Sequence, residues 1–198
     1  LRNSSVYHKW LGLITFLLGT GCRIGEAIGL RWEDCDFQEN IISINHSVSY
    51  TEVEKGKGRR FYISTPKTDA GTRDIPMFKE VKRALLNERL RQMQTGFSQQ
   101  EIDGYSGFVF VGNRGTIHHP TSINQTLKRI INAYNTMEVD RAKKERREPI
   151  LLPHFSVHNL RHTFCTRICE NETNLKIIQE IMGHANISTT MDVYNEAT

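Results

Sequence analysis

The alternation of apolar and polar residues over IISINHSVSY, residues 41–50, limits this part of the chain to a half-buried β-strand. RRFYIST, residues 59–65, repeats the pattern after a turn that contains Gly56 and Gly58. TRDIP, residues 72–76, follows the turn sequence DAG and predicts a third short strand. Strands joined by short turns run antiparallel. The sequence therefore predicts a small three-stranded antiparallel sheet.

Apolar residues at helical spacing precede and follow this sheet. The predicted helices run from Ser4 to Leu18, from Ile24 to Trp32, from Lys79 to Gln94, and onward from Pro120, Ser156, Asn174 and Ser188. The polar residues 135–153 predict a loop, and FVFV at 108–111 predicts a lone strand or an extended core segment. The fold class is therefore α+β, a mainly helical domain with a small sheet.

The length and composition indicate one globular domain over residues 1–198, with 38% hydrophobic and 24% charged residues. The longest apolar stretch, WLGLITFLLG, is shorter than the ~20 residues of a membrane span. Residues 1–20 start within a helical pattern and without an initiator methionine, so we expect no signal peptide and a segment of a longer protein. These features predict a cytoplasmic domain without a membrane partner.

The net charge of +4 permits an acidic partner without requiring one. Basic residues cluster in KGKGRR (55–60) and RAKKERR (141–147), which are typical of solvated loops or helix faces unless other features also indicate phosphate binding. The four cysteines form no Cys-x-x-Cys pair and are interpreted as reduced.

One helical face could carry His158, His162, Cys165 and Cys169. Such a set makes a zinc site conceivable, although small buried thiols on a helix are the favoured interpretation.

Two stretches place a basic residue at an exposed junction. TGCRIGEAIGLRW puts Arg23 where the chain leaves a glycine turn and enters a helix, and helix starts attract anions. Glu26 follows as a favourable acid in the first turn. STPKTDAGTRDIP places Lys67 at a hairpin tip, from which a lysine can reach into a cleft and donate a proton. Taken singly, a locally paired Arg23 and a solvated Lys67 are the favoured interpretations.

FSVHNLRHTFCTR is the most informative stretch. With Ser156 as the helix cap, His158 falls in the first turn and Arg161 lies one turn later on the same flank. The helix dipole disfavours the charged form of a histidine at this end, so His158 can accept a proton. A guanidinium beside it can bind two oxygens of one phosphate. The pair is a candidate base and phosphate clamp.

GHANISTTMDVY brings His184 and Tyr194 close to each other near the end of the sequence. Gly183 ends one helix, and Tyr194 lies about two turns into the next. A lone tyrosine there is most simply a packed aromatic residue, unless another feature of the chain can act on its phenol.

These four stretches, in this order, resemble the tyrosine recombinase (phage integrase) family over essentially the whole chain. The resemblance implies that the catalytic residues are Arg23, Lys67, His158, Arg161, His184 and the nucleophile Tyr194, with Glu26 in a supporting role. It implies double-stranded DNA as the partner, a homo-oligomer that forms a tetrameric synapse on DNA, accessory DNA-bending or excision proteins, and no metal or cofactor. The family's N-terminal DNA-binding domains have no counterpart in these residues.

The resemblance is greatest to integrases of conjugative transposons or temperate phages, which cleave and rejoin DNA through a 3′-phosphotyrosyl bond. A type IB topoisomerase shares that chemistry but relaxes DNA. A non-catalytic DNA-binding module would need the arginines but no tyrosine. The formation of a covalent DNA adduct distinguishes the enzyme from the binding module.

Overall fold

The structure is a computed structural model that describes residues 4, 6–52, 56–66, 71–184 and 186–197, without the side chains of residues 193, 194, 196 and 197. The described part of the chain contains seven α-helices. They are α1 (Leu11–Thr20), α2 (Ile24–Gly29), α3 (Lys79–Thr95), α4 (Pro120–Glu145), α5 (Val157–Cys169), α6 (Leu175–Met182) and α7 (Ile187–Ala197). The α+β class predicted from the sequence is confirmed.

Local signals in the sequence explain several helix ends. Ser156 precedes α5. Its backbone nitrogen and its hydroxyl both donate hydrogen bonds to the side chain of Asn159. Asn174 caps α6 by accepting from the Lys176 nitrogen, as predicted. The last helix begins at Ile187 rather than at Ser188, because the Asn186 side chain accepts from the Ser188 nitrogen.

The five strands of the described residues form two antiparallel sheets. They are β1 (Cys35–Asp36), β2 (Ile41–Ile44), β3 (Ser47–Glu52), β4 (Arg59–Ser64) and β5 (Arg73–Pro76). The order in the three-stranded sheet is β1-β2-β5, and β3 and β4 form a separate hairpin. The three-stranded sheet is confirmed, but its members differ from those predicted, because residues 41–50 divide between the two sheets.

The break between β2 and β3 has a local cause in His46, which is buried. Its Nε2 lies 2.7 Å from the Gly29 carbonyl oxygen at the end of α2, and its Nδ1 contacts the Asn45 side chain. His46 is therefore held in the interior between the two strands. Before it, β2 pairs with β5, and after it, β3 pairs with β4.

The main core lies between α1, α3 and the three-stranded sheet, and a smaller cluster joins α5 to α6. FVFV, residues 108–111, is buried in the main core, and Phe108 forms an isolated bridge with Arg31. Of its two predicted forms, the extended core segment is the one observed. All four cysteines are buried and free, as expected of packed thiols.

The loop predicted over residues 135–153 is wrong in its first half, because α4 continues to Glu145. Glu138 and Ala142 are buried on one side of this extension. Glu138 binds Arg147 and the Ile150 nitrogen, so the returning chain covers the helix and stabilises it. Within the described residues, no helix is both long and apolar enough to cross a membrane.

Candidate active site

Arg23 stands at the start of α2, immediately after the turn that ends α1. Gly21 adopts the left-handed conformation there, with φ of 62°, which favours glycine. The Arg23 backbone nitrogen donates to Glu26 Oε2 at 2.7 Å, and its side chain donates to Glu26 Oε1 at 2.9 Å. Nearly half of the side chain remains exposed, at 48%. Arg23 is therefore held by Glu26 and still open to a ligand.

Glu26 is shared between two arginines. Its carboxylate accepts Nη1 of Arg73 at 3.0 Å and Nη2 at 2.8 Å, and the two side chains are only 6% and 5% exposed. Burial raises the pKa of Glu26, but the hydrogen bonds and charge of Arg73, and then those of Arg23, outweigh it and hold the pKa below its usual value. Glu26 is thus an ionised support for Arg23.

Arg73 was not predicted as a site residue. It lies on β5, where Arg73 and Ile75 are buried and alternate with exposed Asp74 and Pro76. That alternation was visible in TRDIP and places an arginine on an inward face, which is rare unless its charge is paired.

Arg161 extends from α5 into the interior and is 7% exposed. Its Nη1 donates to the Gly21 carbonyl oxygen at 2.7 Å, and its Nη2 donates to the Met182 carbonyl oxygen at 2.6 Å. Burial, and then the charge of Arg23, lower the pKa of Arg161 to about 10, so it remains charged at neutral pH.

Three consecutive carbonyls at the end of α6 each accept from a different arginine. Ile181 accepts Nε of Arg73 at 2.9 Å, Met182 accepts Arg161, and Gly183 accepts Nη2 of Arg23 at 3.0 Å. The last carbonyls of a helix lack partners within it and carry the negative end of its dipole. The end of α6 therefore gathers the arginines from α2, β5 and α5.

Arg23, His158 and Arg161 line one cavity of about 300 Å³ between the starts of α2 and α5. Asn124 of α4 also lines it and accepts a hydrogen bond from the Val157 nitrogen at 3.0 Å. His158 lies exposed in the first turn of α5, with its ring centre 4.9 Å from that of His162. The structure thus brings together the predicted arginines and the predicted base.

His184 follows Gly183, whose φ of 62° ends α6. A Cβ atom at Gly183 would lie 2.9 Å from Nη1 of Arg73, so the close approach of the guanidinium also requires glycine. His184 Nδ1 lies 3.0 Å from Oγ1 of Thr190 on α7. Burial, then the charges of Arg161 and Arg23, lower the pKa of His184 to about 4, so it is neutral at pH 7.

Two predicted site residues are not placed at the level of side chains. Tyr194 belongs to α7, which packs against α5 and α6, but its side chain is outside the described structure. Lys67 lies outside the described residues, in the segment between Pro66 and Gly71.

The site carries an excess of positive charge. Among the described contacts, Arg23, Arg73 and Arg161 supply three guanidiniums against the one carboxylate of Glu26, an excess of two positive charges. Among the described residues, no three histidine, cysteine or acidic side chains are grouped to hold a metal ion. The arrangement suits an oxyanion such as a phosphate, which guanidiniums bind through paired hydrogen bonds.

Comparisons with known proteins identify the family of the chain. The model of the phage integrase family matches residues 2–198. The transposase from transposon Tn916 of Enterococcus faecalis is 36% identical over 197 residues, covering 100% of this chain and 44% of the transposase. A XerC-like tyrosine recombinase of Caldanaerobacter subterraneus is 28% identical, covering 94% of this chain and 45% of that protein. The chain thus spans less than half the length of these relatives.

A solved structure of similar fold is the Tn1549 transposon integrase in complex with transposon right end DNA. Its TM-score is 0.82 at 34% identity, covering 100% of this chain and 57% of that one. The same integrase in complex with circular intermediate DNA has a TM-score of 0.81, also at 34% identity, over 100% of this chain and 58% of that one.

Proposed function

This chain belongs to the phage integrase family, and on that premise we propose that it is the catalytic domain of a site-specific tyrosine recombinase. The domain cleaves and rejoins DNA strands through a 3′-phosphotyrosyl intermediate and so integrates or excises a mobile element. The observation that carries the proposal is the convergence of Arg23, His158 and Arg161 on one cavity beside uncompensated positive charge.

Tyr194 is the nucleophile of the reaction. A phenol has a pKa of ~10 and is a poor nucleophile at neutral pH, so a base must take its proton. His158, exposed at the cavity, is that base. The phenolate oxygen then forms a bond to the phosphorus of a DNA phosphodiester while the bond from phosphorus to the 5′ oxygen breaks.

Negative charge grows on the non-bridging oxygens during this attack, and Arg23 and Arg161 stabilise it. Loss of one preorganised donor of this kind costs ~10²- to 10³-fold in rate. His184 donates a further hydrogen bond, and Lys67 gives the departing 5′ oxygen its proton. Reversal of the same steps rejoins the strand, and one ester replaces another, so the reaction needs no nucleotide cofactor.

The partner is double-stranded DNA at the recombination sites, in keeping with the DNA present in the Tn1549 integrase structures. Strand exchange between two sites calls for a homo-oligomer, which we take to be a tetrameric synapse, with accessory DNA-bending or excision proteins. The enzyme works in the bacterial cytoplasm, at the nucleoid when it is bound to DNA.

The test is covalent capture from a pool of nicked duplexes whose sequence is randomised on both sides of the nick. Cleavage near the nick releases a short fragment, so the adduct is trapped and migrates slowly after denaturation. We expect adducts with the unmodified chain and none with Tyr194→Phe. Tyr134→Phe is the matched control, because Tyr134 is an exposed tyrosine on α4.

An adduct that persists in Tyr194→Phe would show that another residue is the nucleophile. Binding of the pool without any adduct would indicate a DNA-binding module instead of an enzyme. Sequencing of the trapped DNA identifies the target.

A further inference from the structure

Thr190 has no role in the proposed chemistry, yet it is fully buried in the first turn of α7. Its Oγ1 lies 3.0 Å from Nδ1 of His184. Tyr194 follows four residues later, one turn along the same helix. Thr190 therefore connects the turn after α6 to the helix that carries the nucleophile.

The direction of this hydrogen bond follows from the surroundings of the hydroxyl. Within the described structure, Thr190 Oγ1 is hydrogen-bonded to His184 Nδ1. If Nδ1 carried the imidazole proton and donated it, the buried hydroxyl proton would have no acceptor among the described residues, at a cost of about 1–3 kcal/mol. If the hydroxyl donates to Nδ1, both groups are satisfied.

We infer that Thr190 is a positioning residue whose hydroxyl donates to Nδ1 of His184 and keeps the imidazole proton on Nε2. A phosphate oxygen only accepts hydrogen bonds, so His184 can assist at that oxygen only through a nitrogen that carries a proton. Thr190 thereby selects the useful tautomer of His184. The catalytic effect of this tautomer rests on the proposed function, but the tautomer itself can be measured in the chain without any reaction.

The backbone of His184 is held in a matching way. Its nitrogen donates to the Gln179 carbonyl oxygen at 3.2 Å, and its carbonyl accepts from Gln179 Nε2 at 3.0 Å. Because the neighbouring arginines and burial keep the imidazole neutral at pH 7, it has one proton to place. With backbone and Nδ1 both bound, the ring is fixed in one orientation.

The direct test is the tautomer of His184, read from long-range ¹H–¹⁵N correlations of the imidazole in the chain without DNA. His184→Gln identifies the His184 signals by their loss. We expect the Nε2-protonated form in the unmodified chain and in Thr190→Ser, and a mixture in Thr190→Val, which has a similar shape but no hydroxyl. Protonation of Nδ1 in the unmodified chain would overturn the inference.

The second test is a cycle of adduct-formation rates with Thr190→Val, His184→Ala and the double variant. We expect Thr190→Val to slow the reaction about 3- to 10-fold, the worth of one neutral hydrogen bond, with unchanged DNA affinity. Thr190→Ser should restore most of the rate. In the His184→Ala background, Thr190→Val should have less than about a twofold effect.

An equal effect of Thr190→Val in both backgrounds would mean that Thr190 only packs α7, and the inference would be lost. These results are separate from the proposed function. Failure of the unmodified chain to form any adduct counts against recombination, whereas an active chain that is insensitive to Thr190→Val counts against the role of Thr190.

Discussion

Replacing Glu26 by glutamine should lower the free energy of unfolding by about 3–5 kcal/mol, because it leaves a buried guanidinium without its counter-charge. The pair qualifies as buried, since Glu26 and Arg73 are 6% and 5% exposed and joined by two hydrogen bonds. Arg23 adds little to this sum, because its side chain is 48% exposed and such pairs are worth about 0–1 kcal/mol. A loss of this size is a large share of the 5–15 kcal/mol typical of a domain.

The assay is urea unfolding followed by the fluorescence of Trp10 and Trp32, with linear extrapolation to water. Glu170→Gln is the matched control, because Glu170 pairs with Arg167 at the exposed end of α5, where the side chains are 39% and 74% accessible. We expect the control to lose less than about 0.5 kcal/mol. If Glu26→Gln lost no more than its control, the buried pair would not stabilise the fold as argued.

Three further results are expected. Arg23→Ala and Arg161→Ala should each slow cleavage about 10²- to 10³-fold and be non-additive together, with DNA affinity changed less; equal, additive losses of affinity and rate would make them docking residues. Lys67→Ala should be slow on ordinary DNA and largely rescued by a 5′-bridging sulfur, which leaves without a proton; equal impairment on both substrates would assign Lys67 to the phosphate clamp. His118 and His184 have folded pKa values lowered to about 4, mainly by burial, so the unfolded chain takes up protons first. The folded state therefore keeps its full stability above pH 6.5 and loses stability as the pH falls towards 4. The urea midpoint should be lower at pH 4.5 than at pH 7, and this decrease should be smaller in His118→Gln.

The predicted helices were most reliable where a local signal marks their start. Ser156 and Asn174 form caps within three residues of themselves, so the sequence contains the whole interaction. The extension of α4 and the break at His46 could not be read in the same way. The first depends on Arg147 and the chain that returns over Glu138, and the second depends on the Gly29 carbonyl, 17 positions away.

The residues of the candidate site also differ in whether a local pattern in the sequence marks them. The order of the four motifs led to the prediction that Arg23, His158 and Arg161 share a site, and all three line one cavity. Arg73 was missed because its partners lie 47 and 108 positions away in sequence. Thr190 was not predicted, because its contact with His184 exists only when α7 folds back beside the end of α6.

Because the three carbonyls at the end of α6 lie late in the sequence, the arginines that bind them can be fixed only when synthesis of the chain is nearly complete. Arg23 and Arg73 leave the ribosome long before residues 181–183, on which their guanidiniums are held. In a nascent chain stalled before α6, Glu26 remains as a partner of both arginines but the three carbonyls are missing, so we expect both to react faster with arginine-specific glyoxal reagents than in the completed chain. A chain that ends before α6 lacks His184 and Tyr194 as well as the carbonyls that hold the arginines, so it cannot carry out the proposed cleavage. Full protection of Arg73 in the stalled chain would contradict the expected difference in reactivity.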